Sequence, residues 1–312
     1  MRRYEGKAVV VTGGGSGIGR ATAKRIASEG GRILVADRNL DGAEQTAAAI
    51  RAAGGDAVAW QCDVSKEEDA KATIAKAVEL FGKLDVLASV AGVGRFIRTN
   101  DTTLDDWNQM ISVNLTGSFL MSREALPHVI KTKGAIVLTS SIAGVKSHPY
   151  SAAYCASKGG VVQLCKALAV EYARKNVRIN CVAPGGVETP LIASFALPPG
   201  GSPMQISRIA PIMDRMATPE EVAAAIAFLG ADEASYICGA TLVVDGGMSC
   251  LRRRRWQATV SGRSPPRVPI TSRWSIPTVA RSARASCSRG SIASFMACAL
   301  WGSIAATPWP WC

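Results

Sequence analysis

The stretch "VVVTGGGSGIGRATAKRIA", residues 9–27, changes period in its middle. Up to Thr12 it is continuously apolar and β-branched, as a strand buried on both faces requires. Beyond the glycines, "GIGRATAKRIASEG" has helical spacing. Gly13, Gly17 and Gly19 sit at the junction. Glycines permit a tight turn and let backbone N–H groups approach a pyrophosphate, while a helix amino terminus adds partial positive charge. Glycines also serve ordinary turns, so the weight comes from context: strand before, helix after, in the first βαβ unit.

Outward from this junction the pattern repeats. Apolar runs of strand length stand at 32–36, 56–60, 85–89, 135–139, 178–182 and 241–245, and most are separated by stretches of helical period. Near-continuous apolar strands alternating with helices predict an α/β fold: one doubly wound parallel sheet of about seven strands, a Rossmann fold, with helices on both faces. The second strand ends at Asp37, about twenty residues past the glycines, where a carboxylate accepts hydrogen bonds from the adenosine ribose and repels a 2′-phosphate. NAD is therefore expected over NADP. Arg38 is the complication, because a guanidinium there can pair with a 2′-phosphate or simply face solvent. Ser16 adds no second cation to the turn. Asp63, in "CDVS" with Val64, follows the third strand, where it either meets the adenine edge or caps a helix.

Composition separates a body from a tail. The chain has 312 residues and a formal net charge of +12. Ten arginines and no lysine, aspartate or glutamate lie in 251–312, so the body, 1–250, carries a net charge of only +2. The basic character belongs to the tail, which argues against nucleic acid as the body's partner. The tail also holds five of seven tryptophans and six of fifteen prolines, without a sustained period. It is expected to be disordered or a non-native extension, with the composition of GC-rich DNA read out of its normal frame. Its uncharged end, 290–312, is too diluted by polar residues and proline for a membrane span. Nine single cysteines without a CxxC pair, and only two histidines, give no metal site and no disulfide scaffold. With no secretory signal at the amino terminus, a reducing cytoplasm is expected.

"YCASK", 154–158, places a phenol and an ammonium one helical turn apart. An adjacent ammonium lowers a phenol's pKa, which suits proton transfer; the ordinary alternative is a tyrosine beside a solvated lysine. With "TGGGSGIG" at 12–19, "SVNLTG" at 112–117, "TSSIAG" at 139–144, "APGGVETP" at 183–190 and "VVDGG" at 243–247, the chain resembles the classical short-chain dehydrogenase/reductase family over nearly all of 1–250. The resemblance implies an NAD-dependent interconversion of a secondary alcohol and a ketone. Ser141 would hold the substrate oxygen and Tyr154 would exchange its proton. Lys158 would lower the Tyr154 pKa and bind the nicotinamide ribose, and Asn114 would hold a water linking Lys158 to solvent. Ile18, Ala91, Gly92, Pro184, Gly185, Val187 and Thr189 would line the cofactor. The family commonly assembles as homotetramers, so a homotetramer or homodimer through the body is expected.

Two features depart from that pattern. "SVAG", 89–92, stands where the family has Asn-Asn-Ala-Gly, which puts a structural hydrogen bond across the sheet in doubt. The tail is the other. An apolar insert, 193–212, reads as a lid and suits a β-oxoacyl thioester, steroid or cyclic alcohol; ordinary packing is its alternative. Ser140, beside Ser141, is expected only to pack. The competing reading of the whole chain is a non-catalytic protein whose basic tail binds anionic membrane or nucleic acid.

Overall fold

Seven parallel strands follow the apolar runs of the sequence in the computed structural model, which describes residues 2–207 and 209–250. They are β1 (Ala8–Thr12), β2 (Arg32–Asp37), β3 (Asp56–Gln61), β4 (Val86–Ser89), β5 (Ala135–Thr139), β6 (Arg178–Pro184) and β7 (Thr241–Val244). Their order across the sheet is β3-β2-β1-β4-β5-β6-β7. The strand sequence therefore reverses direction between β1 and β4, which register Val9 to Val86 through Thr12 to Ser89. Outside the carboxyl ends of such a pair, the two flanking loops diverge and leave a crevice.

Both sheet faces are covered, as uninterrupted apolar strands demand. On one face α1 (Gly17–Ser28), α2 (Leu40–Ala52) and α9 (Pro219–Gly230) bury Val9, Val11, Ile33, Val35 and Val137. On the other, α3 (Glu67–Phe81), α5 (Gly117–Thr132) and α7 (Ala152–Tyr172) bury Val10, Leu34, Leu87, Ile136 and Leu138. Short helices α4 (Leu104–Met110), α6 (Ile142–Val145) and α8 (Pro203–Ser207) lie in the connections. Helix α9 is started by a Thr218–Glu221 capping box. Arg178 closes its far end by donating to the carbonyls of Leu229, Gly230, Ala231 and Ala234. Among the described residues, no helix is long and apolar enough to cross a membrane. The expectations for 251–312 fall outside the described residues.

Candidate active site

The glycine turn after β1 is a fitted cradle. Gly13 has φ 66°, and a Cβ on it would lie 2.8 Å from Ala91 Cα in the loop after β4. A Cβ on Gly19 would fall on the Gly13 carbonyl. The turn is held from both sides. Gly15 N–H donates to Asp37 Oδ2 at 2.9 Å, Arg20 donates to the Gly15 carbonyl, and Thr46 donates to the Gly14 carbonyl at 2.9 Å. Ser16 is the N-cap residue of α1, and its exposed side chain makes no capping bond. Unlike α2, α3 and α9, α1 has no acidic residue in its first turn. Its positive end is thus uncompensated by the chain, which fits a pyrophosphate. Ile18 is half-buried against the core beneath.

Asp37 ends β2 with both carboxylate oxygens engaged: Gly15 N–H on Oδ2, and Asn39 N–H on Oδ1 at 2.8 Å. Arg38 is exposed. Asp63 is no helix cap, because α3 begins after Lys66. Its carboxylate instead accepts from Ser65 Oγ at 2.6 Å and Ser65 N–H at 3.1 Å. Burial pulls its pKa up, but those bonds and the nearby charges of Arg38 and Lys66 leave it below the usual carboxylate value. Val64 is buried against Gly117.

Across the crevice, α7 carries Tyr154 and Lys158 on one face, 8 % and 4 % exposed. Ser141 opens α6, accepts from Ala143 N–H at 3.2 Å, and bonds toward the Tyr154 phenol. Lys158 Nζ donates to the Thr139 carbonyl at 2.8 Å. Asn114, fully buried, sits in a π-helical turn, Ile111–Thr116, between α4 and α5. Such a turn redirects a side chain out of the helical register. Its Nδ2 donates to the Val93 carbonyl at 2.9 Å and to Ser157 Oγ at 3.0 Å, and its Oδ1 accepts from Val93 N–H at 2.8 Å. A point one Cβ bond from Gly92 lies 3.1 Å from both Asn114 Oδ1 and Lys158 Nζ, so the loop after β4, the π-turn and α7 meet there.

Burial pushes the Tyr154 phenol above its ordinary 10, and the Ser141 hydrogen bond opposes this only in part. Burial brings Lys158 down to about 8. The Lys158 ammonium is turned to the Thr139 carbonyl, and burial is the largest influence on both groups.

Buried Pro184 ends β6 and is followed by Gly185, whose N–H donates to the Val244 carbonyl at 2.9 Å. Val187 is buried and bridges to Ala217. Thr189 reaches back over the glycine turn, 3.0 Å from where a Gly17 Cβ would lie. The segment expected as a lid follows. Phe195 sets its ring edge-on to Tyr154, with centroids 5.3 Å apart, and to Phe96 at 5.0 Å. Ser202 N–H donates to Tyr150 Oη at 2.7 Å, and Ser194 Oγ donates to the Gly94 carbonyl.

Several contributors escape a reading of the motifs. Thr12 Oγ1 accepts from both Val90 N–H at 3.0 Å and Ala91 N–H at 3.2 Å, fixing the loop in which "SVAG" lacks the amides. Ser140 does more than pack: its hydroxyl donates to the Lys158 carbonyl at 2.7 Å and ties β5 to α7. Ser157 supports Asn114 from inside "YCASK". Thr12 and Ser140 stand at the ends of β1 and β5, and that position on the carboxyl edge was the available signal. Among the described residues no group of three or more potential metal ligands occurs.

A parallel sheet with its switch point at β1/β4, a glycine cradle there, and a tyrosine and lysine facing it define a nucleotide-dependent oxidoreductase site. A family model described as enoyl-(acyl carrier protein) reductase matches residues 13–249. The chain is 39 % identical over 248 residues to 2,5-dichloro-2,5-cyclohexadiene-1,4-diol dehydrogenase of Sphingobium indicum, covering 79 % of this chain and 98 % of that one. It is 41 % identical over 249 residues to 3beta-hydroxysteroid dehydrogenase 1 of Eggerthella lenta, covering 78 % and 94 %. The structure of 3-ketoacyl-(acyl-carrier-protein) reductase from Brucella melitensis, complexed with NADH, superposes with TM-score 0.72 at 36 % identity, covering 78 % and 99 %. The chain belongs to the short-chain dehydrogenase/reductase family, and it is an enzyme acting on CH–OH groups.

Proposed function

We propose that the chain is an NAD-dependent oxidoreductase that interconverts a secondary alcohol and a ketone, with Tyr154 as general acid and base. One observation carries the reading: Ser141, Tyr154, Lys158 and the Asn114 turn converge beside the glycine cradle. Gly13, Ser16, Gly17, Ile18 and Gly19 would hold the pyrophosphate side of the cofactor, and Asp37, Arg38, Asp63 and Val64 the adenosine side. Ala91, Gly92, Pro184, Gly185, Val187 and Thr189 would flank the nicotinamide. When bound, NAD supplies the acceptor for the hydride leaving the carbinol carbon. Ser141 holds the substrate oxygen; Tyr154, as phenolate, takes the hydroxyl proton as the C–O bond becomes a carbonyl. Lys158 stabilises that phenolate once substrate and cofactor exclude water.

Asp37 supports NAD over NADP. Its carboxylate fills the space beside Gly15 and would repel a 2′-phosphate, against the pull of exposed Arg38 and of Arg20, whose guanidinium is engaged on the Gly15 carbonyl. The apolar wall of Phe96 and Phe195 suits a hydrophobic alcohol such as a cyclic alcohol, steroid or oxoacyl chain. Trp107, Phe119 and Val170 on α4, α5 and α7 are exposed apolar side chains that assembly into a dimer or tetramer would cover. All of these residues lie in 1–250, which we take as the working domain. Buried free thiols at Cys62, Cys165 and Cys181 agree with a reducing cytoplasm.

Tyr154→Phe is the test. Alcohol oxidation should fall by at least about a hundredfold, the lower end for lost acid–base catalysis. NADH binding, read by fluorescence titration with NADPH in parallel, should remain and exceed NADPH binding. Unchanged turnover would sink the proton-transfer role, and preferred NADPH binding would sink the role of Asp37.

A further inference from the structure

We propose that Asp245 is a positioning residue for the reaction: the turn it holds at the carboxyl end of the body sets the seats of Gly185 and of the helix that Ser141 opens. The inference rests on the oxidoreductase reading above and adds a residue to the working of that same site. Asp245 directly follows β7. Its half-buried carboxylate accepts from Gly247 N–H on Oδ1 at 3.0 Å and from Ser249 N–H on Oδ2 at 2.6 Å. Hydrogen bonds to an ionised acceptor are among the stronger ones. Gly246 and Gly247 are left-handed, with φ 58° and 82°, which lets the chain double back onto the carboxylate.

The turn so closed reaches three parts of the site. A Cβ on Gly185 would lie 2.9 Å from Asp245 Cα, so the backbone assigned to the nicotinamide rests directly on the turn. The Gly246 carbonyl accepts from Ile212 N–H at 2.9 Å and from Met213 N–H at 3.2 Å, which fixes the far end of the segment that brings Phe195 to Tyr154. The Ser249 carbonyl accepts from Lys146 Nζ. Lys146 also closes α6, its N–H donating to the Ile142 carbonyl at 2.7 Å, and Ser141 is the N-cap residue of that helix. Ser249 therefore has its N–H on Asp245 and its carbonyl on Lys146, so one residue links the carboxylate to the helix that carries Ser141.

Asp245 acts through the main chain it orders. Without its carboxylate, two N–H groups lose their acceptor and the two glycines are released to other conformations. Gly185 and the Ser141 helix then lose their common support. The reaction needs the nicotinamide and the substrate oxygen aligned at the same moment, and a displacement of about 1 Å costs on the order of a hundredfold in rate. The residues assigned to the pyrophosphate and adenosine follow β1, β2 and β3, on the other side of the β1/β4 switch point from β7. The loss therefore falls on kcat, and NADH binding is spared.

The test measures kcat per NADH-binding site in the full chain, with NAD and either cyclohexanol or a 3-hydroxysteroid, well below each variant's melting point. Asp245→Ala should lower kcat about ten- to a hundredfold, with NADH affinity within about twofold of wild type. Asp245→Asn keeps one acceptor oxygen and should recover most of that loss, to within about fivefold of wild type, the equivalent of one hydrogen bond. Lys146→Met cuts the link at its other end and should lower kcat by less than Asp245→Ala does. Added to Asp245→Ala it should cost nothing further, because that link is already slack. Should Asp245→Ala fail to fold, Asp245→Asn and Lys146→Met, singly and together, carry the comparison. A lower melting point with unchanged kcat per site would make Asp245 a strut for stability alone and overturn the inference. Fully additive losses in the double variant would break its route to Ser141 and overturn it as well. A wild type that binds NADH but oxidises neither alcohol would count instead against the oxidoreductase reading and take the inference with it.

Discussion

On the β1–β2 side of the crevice, backbone meets backbone: Gly13 against Ala91, Gly19 against the Gly13 carbonyl, Gly15 N–H on Asp37. On the β5–β6 side, side chains make the surface: Phe195 on Tyr154, Ser202 under Tyr150, Arg95 on Asp106. The first side tolerates no added atom, because main chain has nowhere to go. The second can be recut residue by residue. A nucleotide shared by many enzymes calls for the former, and an individual substrate for the latter.

The largest expected effect is on the backbone side. Gly19→Ala drives a methyl into the Gly13 carbonyl, and the turn must open. Loss of stability of about 3 kcal/mol or more is expected, the upper range for overpacking against unyielding structure, with NADH binding lost. Thermal melts and NADH titration check it. Near-native stability and binding would show that the turn yields, and the contrast between the two sides would dissolve.

Next in size is Lys158, which stands between the two sides. Its folded pKa of about 8 lies below the ordinary 10.5. Between those values the unfolded chain binds the extra proton, so stability rises with pH across that window, and the charged lysine is a burden below it. The burden at neutral pH is about 3 kcal/mol, from 1.36 kcal/mol per pKa unit. Lys158→Met should melt higher than wild type at pH 7, with the gap closing toward pH 10, while turnover is lost. A gap that does not change with pH would mean that burial is not what holds this lysine.

The smallest effect belongs to the substrate side. Phe195→Ala removes an edge-on contact with Tyr154 and an apolar wall. It should raise KM for an apolar alcohol by about five- to tenfold, equivalent to roughly 1 kcal/mol, at nearly constant stability. A fall in stability as large as that expected for Gly19→Ala would erase the distinction.

Strands were legible because parallel strands buried on both faces leave no polar interruption; the run at 135–139, for instance, is β5 without adjustment. The glycine turn, Asp37 and the "YCASK" face were legible because each rests on local spacing. What was not legible is what distant segments do to one another. Thr12 fastens the "SVAG" loop by accepting from two N–H groups nearly eighty positions away. Ser140 acts on the Lys158 carbonyl eighteen positions on. Around Tyr154, local spacing foretells a neighbouring charge but not how much water the fold removes.

Two of the hydrogen bonds that fasten the segment after β6, Ser194 to Gly94 and Ser202 to Tyr150, also bear on how this enzyme can change over generations. Each crosses to a loop, and neither joins the segment to a strand of the sheet. Away from Phe195, which rests on the Tyr154 ring, insertions or replacements in that segment can therefore accumulate without disturbing the proton-transfer residues on α7. Substrate range is the trait free to drift, while the reaction is inherited intact.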